Sequence, residues 1–219
     1  TLLGLDAARL IERHDPSVPL YLYLAFNAPH TPYQAPQDYL DRYRHIPDKG
    51  QRVYAAMVSS LDDSVGAIRA KLKAEGLEKN TLIVFLSDNG PEGSDYKEAD
   101  LWLRFNYSRD LERLGGKGAY VVPGPSWASA SASPLNTFKF YSGEGGIRSP
   151  LIISGVPGGA HDQIHAGLTH VTDILPTLLE VAQVERPGAR FQGQPIEPPT
   201  GHSLLPVLAN PAQHVRAAD

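Results

Sequence analysis

The chain of 219 residues contains no cysteine, which excludes structural disulfides, thiolate metal sites and a thiol nucleophile. That absence leaves the compartment open, the cytoplasm included. Long apolar runs are also missing. The longest, Leu20 to Phe26, has seven residues, against about 20 for a membrane-spanning helix. Positive charge is not in excess: 20 Lys and Arg stand against 24 Asp and Glu, for a formal net charge of −4. A strongly basic nucleic-acid binder and a polybasic membrane patch are therefore excluded. No initial Met and no signal-peptide pattern is present, so the expectation is a piece of a longer protein. What is abundant is punctuation, because 20 Gly and 19 Pro imply many loops. With 42% hydrophobic and 20% charged residues, the chain can still pack a core of one medium domain.

Helix-forming residues from Leu5 to Arg13 end at Asp15-Pro16 and Pro19. The run Leu20 to Phe26, rich in aromatics and flanked by proline, predicts a buried strand. A parallel strand covered on both faces reads as continuous apolar sequence. Asn27 to Pro36, with three prolines, is then a loop leaving that strand. Val53, Met57, Leu61, Val65, Ile68 and Leu72 are spaced by three or four and predict a long helix over 51–75, stopped by Gly76. Thr81 to Leu86 predicts a second strand, ended by Ser87-Asp88-Asn89-Gly90. Strand, helix and strand in this order predict a right-handed crossover in a parallel sheet, with both loops at one edge. Open α/β sheets bind ligands at such an edge. Residues 91–136 are less regular, and Gly115-Gly116-Lys117-Gly118 lacks the spacing of a phosphate loop. Ile147 to Ser154 predicts a third strand, and a helix is expected over 173–182 with Thr172 as its cap. The proline-rich last 35 residues read as extended surface chain.

Each residue that invites chemistry also has a plainer reading. Asp88-Asn89-Gly90 is either the turn that ends a strand or a carboxylate and an amide oxygen presented together to a hard divalent cation. His30, in Pro29-His30-Thr31-Pro32, is either a loop histidine or a proton donor. Lys139, between Phe138 and Phe140, is either a snorkelling surface lysine or a fixed positive charge. Asp62 and Asp63 on the long helix read as solvated or capping residues, and Arg148 as structural, paired with a buried carboxylate. His161, His165 and His170 are spaced too irregularly for zinc. Tyr33, Tyr107, Tyr120 and Trp127 either belong to the core or line an aryl pocket.

Taken together, three motifs are more specific. Leu20 to Pro36, with Asn27-Ala28-Pro29-His30-Thr31-Pro32, resembles the strand and histidine loop of the sulfatase family. Leu82 to Gly90 resembles that family's strand ending in Ser-Asp-Asn-Gly. Lys139 stands five residues before Glu144-Gly145-Gly146-Ile147-Arg148-Ser149-Pro150, which is similar to the sulfatase lysine and its Glu-Gly-Gly-x-Arg-x-Pro segment. The resemblance extends to Leu61-Asp62-Asp63-Ser64-Val65-Gly66, to His170 through Leu179, and to Gly201-His202-Ser203-Leu204, covering roughly residues 5–208. Within the family, Gly124-Pro125-Ser126-Trp127-Ala128 followed by Leu135 to Pro150 is most similar to bacterial alkyl and aryl sulfatases.

The resemblance implies an α/β fold, part of an alkaline-phosphatase-like mixed and mostly parallel sheet sandwiched by helices and lacking its N-terminal strands. Residues 1–219 would be one partial catalytic domain, with 185–219 as an extended tail. It implies a metal-dependent sulfuric ester hydrolase whose nucleophile is a formylglycine, made from Cys or Ser by a maturation enzyme. The metal would be Ca²⁺, with Mg²⁺ or another divalent cation as alternatives, held in part by Asp88 and Asn89. His30 would contact the ester near its leaving oxygen, and Lys139 a sulfate oxygen. No cysteine is present, and no serine begins a complete Ser-x-Pro/Ala-x-Arg, so the nucleophile and the other metal ligands are expected upstream. These residues alone are expected to be inactive. A phosphate or phosphonate ester hydrolase of the same superfamily is the alternative. The family also implies export to the periplasm or secretion.

Overall fold

The computed structural model describes residues 2–94, 100–108, 110–156, 159 and 162–216, so His161 lies outside the described residues. The chain divides into two compact units, Thr1–Ile153 and Ser154–Asp219. No helix among the described residues is long and apolar enough to cross a membrane.

In the first unit, α1 (Leu2–Glu12) buries Gly4, Ala7 and Ile11, one stripe at helical spacing. It is followed by the short α2 (Gln37–Arg42) and the long α3 (Lys49–Ala74). The predicted helix over 51–75 is thus found, two residues longer at its start. Asp48 caps it by accepting from the Gln51 N–H at 2.8 Å, which satisfies one of the donors left free at a helix start. Val53, Ala56, Met57, Ser60, Leu61, Ser64 and Leu72 are buried along it. Two of these are serines where the apolar spacing would favour Val65. Ser64 is accommodated because its hydroxyl donates to the Ser60 carbonyl at 2.8 Å. Tyr33, Val53, Met57 and Val121 form a core cluster, so Tyr33 takes the core reading. Asp63 accepts from Tyr39 of α2 at 2.8 Å and from Arg42 at 3.1 Å, which ties α2 to α3.

The expected strand over Leu20 to Phe26 is a correction. These residues belong to no strand. Tyr21 and Tyr23 are exposed while Leu22, Leu24 and Phe26 are half-buried, an alternation of period two. A run apolar on both faces becomes a strand only where neighbours supply its backbone hydrogen bonds. No ladder partner is found among the described residues.

The second predicted strand is β1 (Ile83–Leu86). Between it and the next strand lie α4 (Asp100–Asn106), α5 (Gly124–Ala132) and the one-turn α6 (Glu144–Ile147). The run of small residues from Ser126 is therefore helical. The strand expected from Ile147 begins later, as β2 (Leu151–Ser154), because Glu144 to Ile147 make the α6 turn first. β1 and β2 pair in a two-stranded sheet. The Ser87 N–H donates to the Pro150 carbonyl at 3.3 Å and the Gly90 N–H to the Gly146 carbonyl at 3.0 Å. These bonds advance along one segment and retreat along the other, so the end of β1 meets the start of β2 antiparallel.

The second unit holds α7 (Ile174–Val181), a hairpin of β3 (Arg190–Phe191) and β4 (Gln194–Pro195), and α8 (Leu205–Ala209). The last 35 residues thus contain a hairpin and a short helix. A 3-10 turn at Val171–Asp173 precedes α7, and His170 rather than Thr172 caps it. The His170 imidazole accepts from the Thr172 N–H, and the Asp173 carboxylate accepts from the His170 N–H at 2.8 Å. Asp173, Pro176, Thr177, Leu204 and Val207 are buried in and beside α7 and α8. The Thr177 hydroxyl links them, donating to the Asp173 carbonyl at 2.6 Å and accepting from the Leu204 N–H at 2.8 Å.

Candidate active site

Three loops of the first unit converge. The first, residues 27–36, is pinned by backbone bonds from Tyr33 to Val121 at 3.2 Å and from Ala35 to Gly115 at 3.0 Å, and by the buried Tyr33 ring. It presents His30. The second follows β1 and carries Asp88, Asn89 and Glu92. The third, residues 136–150, carries Lys139, whose backbone N–H donates to the Pro91 carbonyl at 3.0 Å.

The second and third loops touch through their backbones. A Cβ at Gly90 would lie 1.8 Å from the Gly145 carbonyl oxygen, and one at Gly145 would lie 2.1 Å from the Thr137 carbonyl oxygen. No side chain fits at either place, which is a physical reason for glycine in Asp-Asn-Gly and in Glu-Gly-Gly. Gly90→Ala is expected to cost about 3 kcal/mol of stability, read as a lower urea midpoint at unchanged slope. A variant as stable as the wild type would refute this packing. The same loop carries backbone strain beside the lysine. Thr137 has φ 68° and Phe140 φ 82°, a region that costs a non-glycine residue about 1–2 kcal/mol and that clusters at functional sites.

His30 and Lys139, 109 residues apart in sequence, meet here, with Nζ of Lys139 3.2 Å from Nε2 of His30. Nδ1 of His30 lies 2.8 Å from the Thr31 carbonyl oxygen. A carbonyl only accepts, so Nδ1 carries a proton and donates. Nε2 is then the atom that faces the site. Glu92 stands beside both, with Oε2 3.5 Å from Nε2 of His30 and 3.8 Å from Nζ of Lys139. The side chains of Glu92 and Lys139 are 13% and 20% exposed, whereas that of His30 is 57% exposed. The ammonium and the imidazole therefore share one sheltered carboxylate and one open side.

Asp88 and Asn89 lie on the same segment as Glu92. Asp88 is exposed, and Asn89 is half-buried. The Asn89 side-chain N–H donates to the Gly90 carbonyl at 2.9 Å, which leaves its amide oxygen available. Their donor set, a carboxylate and an amide oxygen, fits a hard divalent cation. Among the described residues no group of three or more His, Asp or Glu gathers around a point that could hold a metal, so this pair is at most part of a ligand shell.

Arg148 pairs with Glu144 at 3.6 Å, but both side chains are mostly exposed. The buried carboxylate expected for Arg148 is thus replaced by a solvent-screened partner one helical turn away, a contact worth little. Sequence reasoning missed Glu92. A single glutamate after Pro91 reads as an ordinary turn residue, and only the approach of two distant loops gives it partners.

Residues 3–184 match the sequence model of the family described as Sulfatase, and the chain belongs to that family. It is 31% identical to an arylsulfatase of Klebsiella aerogenes, with 90% of this chain and 52% of that protein covered. It is also 31% identical to an uncharacterised sulfatase of Schizosaccharomyces pombe, with 87% of this chain and 44% of that protein covered. The chain thus spans about half the length of these curated relatives. It shares its fold with the crystal structure of Ps i-CgsB in complex with k-i-k-neocarrahexaose, at a TM-score of 0.69 and 24% identity, over 96% of this chain and 38% of that one.

Proposed function

We propose that the chain supplies part of the active site of a sulfuric ester hydrolase acting on an alkyl or aryl sulfate. The observation that supports this reading is the meeting of His30 Nε2 and Lys139 Nζ at 3.2 Å on an open face. Breaking the sulfur–oxygen bond moves negative charge onto the leaving oxygen. A proton taken up from solvent at Nε2 of His30 would be donated there, while the Lys139 ammonium, 3.2 Å away, keeps its charge. Lys139 would also place fixed positive charge beside the sulfuryl oxygens. Asp88 and Asn89 would hold one side of a divalent cation, which in this family is usually Ca²⁺ and supplies Lewis acidity toward the sulfate group.

The remaining metal ligands and a formylglycine nucleophile, installed by a maturation enzyme, are assigned to sequence outside these 219 residues. β1 and β2 would then belong to the larger, mostly parallel, helix-covered sheet of the alkaline-phosphatase-like fold. Residues 1–219 would form part of one catalytic domain of an exported, periplasmic or secreted, enzyme.

The test uses the full-length protein, matured where its nucleophile motif requires it. It compares 4-nitrophenyl sulfate, phosphate and phenylphosphonate with and without added Ca²⁺ after chelation. Turnover of the sulfate ester that falls at least about tenfold on chelation and returns with Ca²⁺ is expected, a difference of about 1.4 kcal/mol in barrier. Preferred turnover of the phosphorus esters would move the activity to the neighbouring hydrolases.

A further inference from the structure

We propose that Glu92 is a positioning residue of this site, holding the His30 imidazole and the Lys139 ammonium toward the reacting group by its charge; the inference rests on the sulfuric ester hydrolase reading. Its short bonds and its long ones go to different kinds of partner. Oε2 accepts from the Thr31 hydroxyl at 3.2 Å, and Oε1 accepts from the Ser94 hydroxyl. The imidazole and ammonium nitrogens stand farther off, at 3.5 Å for His30 and 3.8 Å for Lys139. Two hydroxyls therefore fix the carboxylate, and it offers charge to the ammonium and the imidazole without taking a hydrogen bond from either. The Lys139 protons stay free for an incoming oxygen and for Nε2 of His30.

The arrangement also answers an electrostatic difficulty. Two groups that can both be positive, 3.2 Å apart, repel unless a counter-charge lies close. Glu92 is 13% exposed, so its charge is poorly screened by water. It links the first loop, through Thr31 and His30, to the third, through Lys139. Because His30 serves the leaving oxygen, loss of that hold should matter most where the leaving group is poor.

Glu92→Gln keeps the size and removes the charge, with one hydroxyl contact reversed so that the new amide N–H donates to it, whereas Glu92→Asp keeps the charge on a shorter stem. In the full-length enzyme, Glu92→Gln is expected to lower kcat about tenfold or more on phenyl sulfate, but only about threefold on 4-nitrophenyl sulfate. Glu92→Asp should recover part of the loss on phenyl sulfate. Equal losses on the two substrates, or Glu92→Asp no better than Glu92→Gln, would overturn the proposal. The imidazole ¹⁵N resonances of His30, recorded without substrate, give a readout independent of turnover. They should move in Glu92→Gln, and identical spectra would also overturn it. Moved resonances in an enzyme whose wild type turns over no aryl sulfate would instead remove the sulfatase reading and leave the Glu92 contact standing.

Discussion

Lys139→Ala in the full-length protein is expected to lower kcat/KM on 4-nitrophenyl sulfate by about 10²–10³, the usual loss when one fixed donor to a developing negative charge is removed. The magnitude follows from where the ammonium sits. It is 20% exposed, its backbone is tied to Pro91, and it stands 3.2 Å from His30. A side chain so held costs little reorganisation when charge develops on the sulfate. Lys139→Arg should recover little, because a planar fork cannot reproduce a point charge between Glu92 and Nε2 of His30. His30→Ala should show a smaller loss on 4-nitrophenyl sulfate than on phenyl sulfate, since a good leaving group needs less proton donation. A loss under about threefold for Lys139→Ala would mean that the ammonium does not meet the substrate.

Asp173→Asn is expected to cost about 3 kcal/mol of stability. Asp173 is fully buried. Its carboxylate accepts from the His170 and His202 N–H groups at 2.8 and 2.9 Å and forms a two-pronged pair with Arg216. Burial pushes its pKa up. The Arg216 hydrogen bonds, the two backbone N–H groups and the guanidinium charge outweigh that and hold it at about 2. The folded value lies below the unfolded one, so the stabilisation is complete above about pH 4 and is lost as pH falls through about 2. That gap is worth about 2–3 kcal/mol at neutral pH. Urea midpoints of wild type and Asp173→Asn should therefore lie far apart at pH 7 and converge toward pH 2–3. A gap independent of pH would show that packing, not the ion pair, accounts for the loss. The pair joins residue 173 to residue 216, so its removal should be felt over much of the 154–219 unit.

Local signals were readable wherever a segment's neighbours do not decide its state. α3 is legible because its apolar residues recur every three or four positions between a capping aspartate and a terminating glycine. β1 is legible as a short apolar run closed by the Ser-Asp-Asn-Gly turn. Leu20 to Phe26 misled because composition reports what a strand would bury, whereas a strand exists only through hydrogen bonds to another segment. The strand start at Ile147 misled because close backbone packing at Gly145 turns the chain through Ile147 before β2 can begin.

The same division runs through the site. Which residue types are available was set by the amino-acid order itself: an imidazole among prolines, a carboxylate and an amide at a strand end, a lysine before a double glycine, and no thiol at all. Their arrangement was decided only by the fold. Residues 30, 92 and 139 lie far apart along the chain, and no periodicity relates them. Their distances come from Tyr33 seated in the core, from Gly90 against Gly145, and from Lys139 bonded to Pro91. Helical and turn propensities act within a few residues, while charge and proton transfer act across a few ångströms of space. Only long-range packing turns the first kind of proximity into the second.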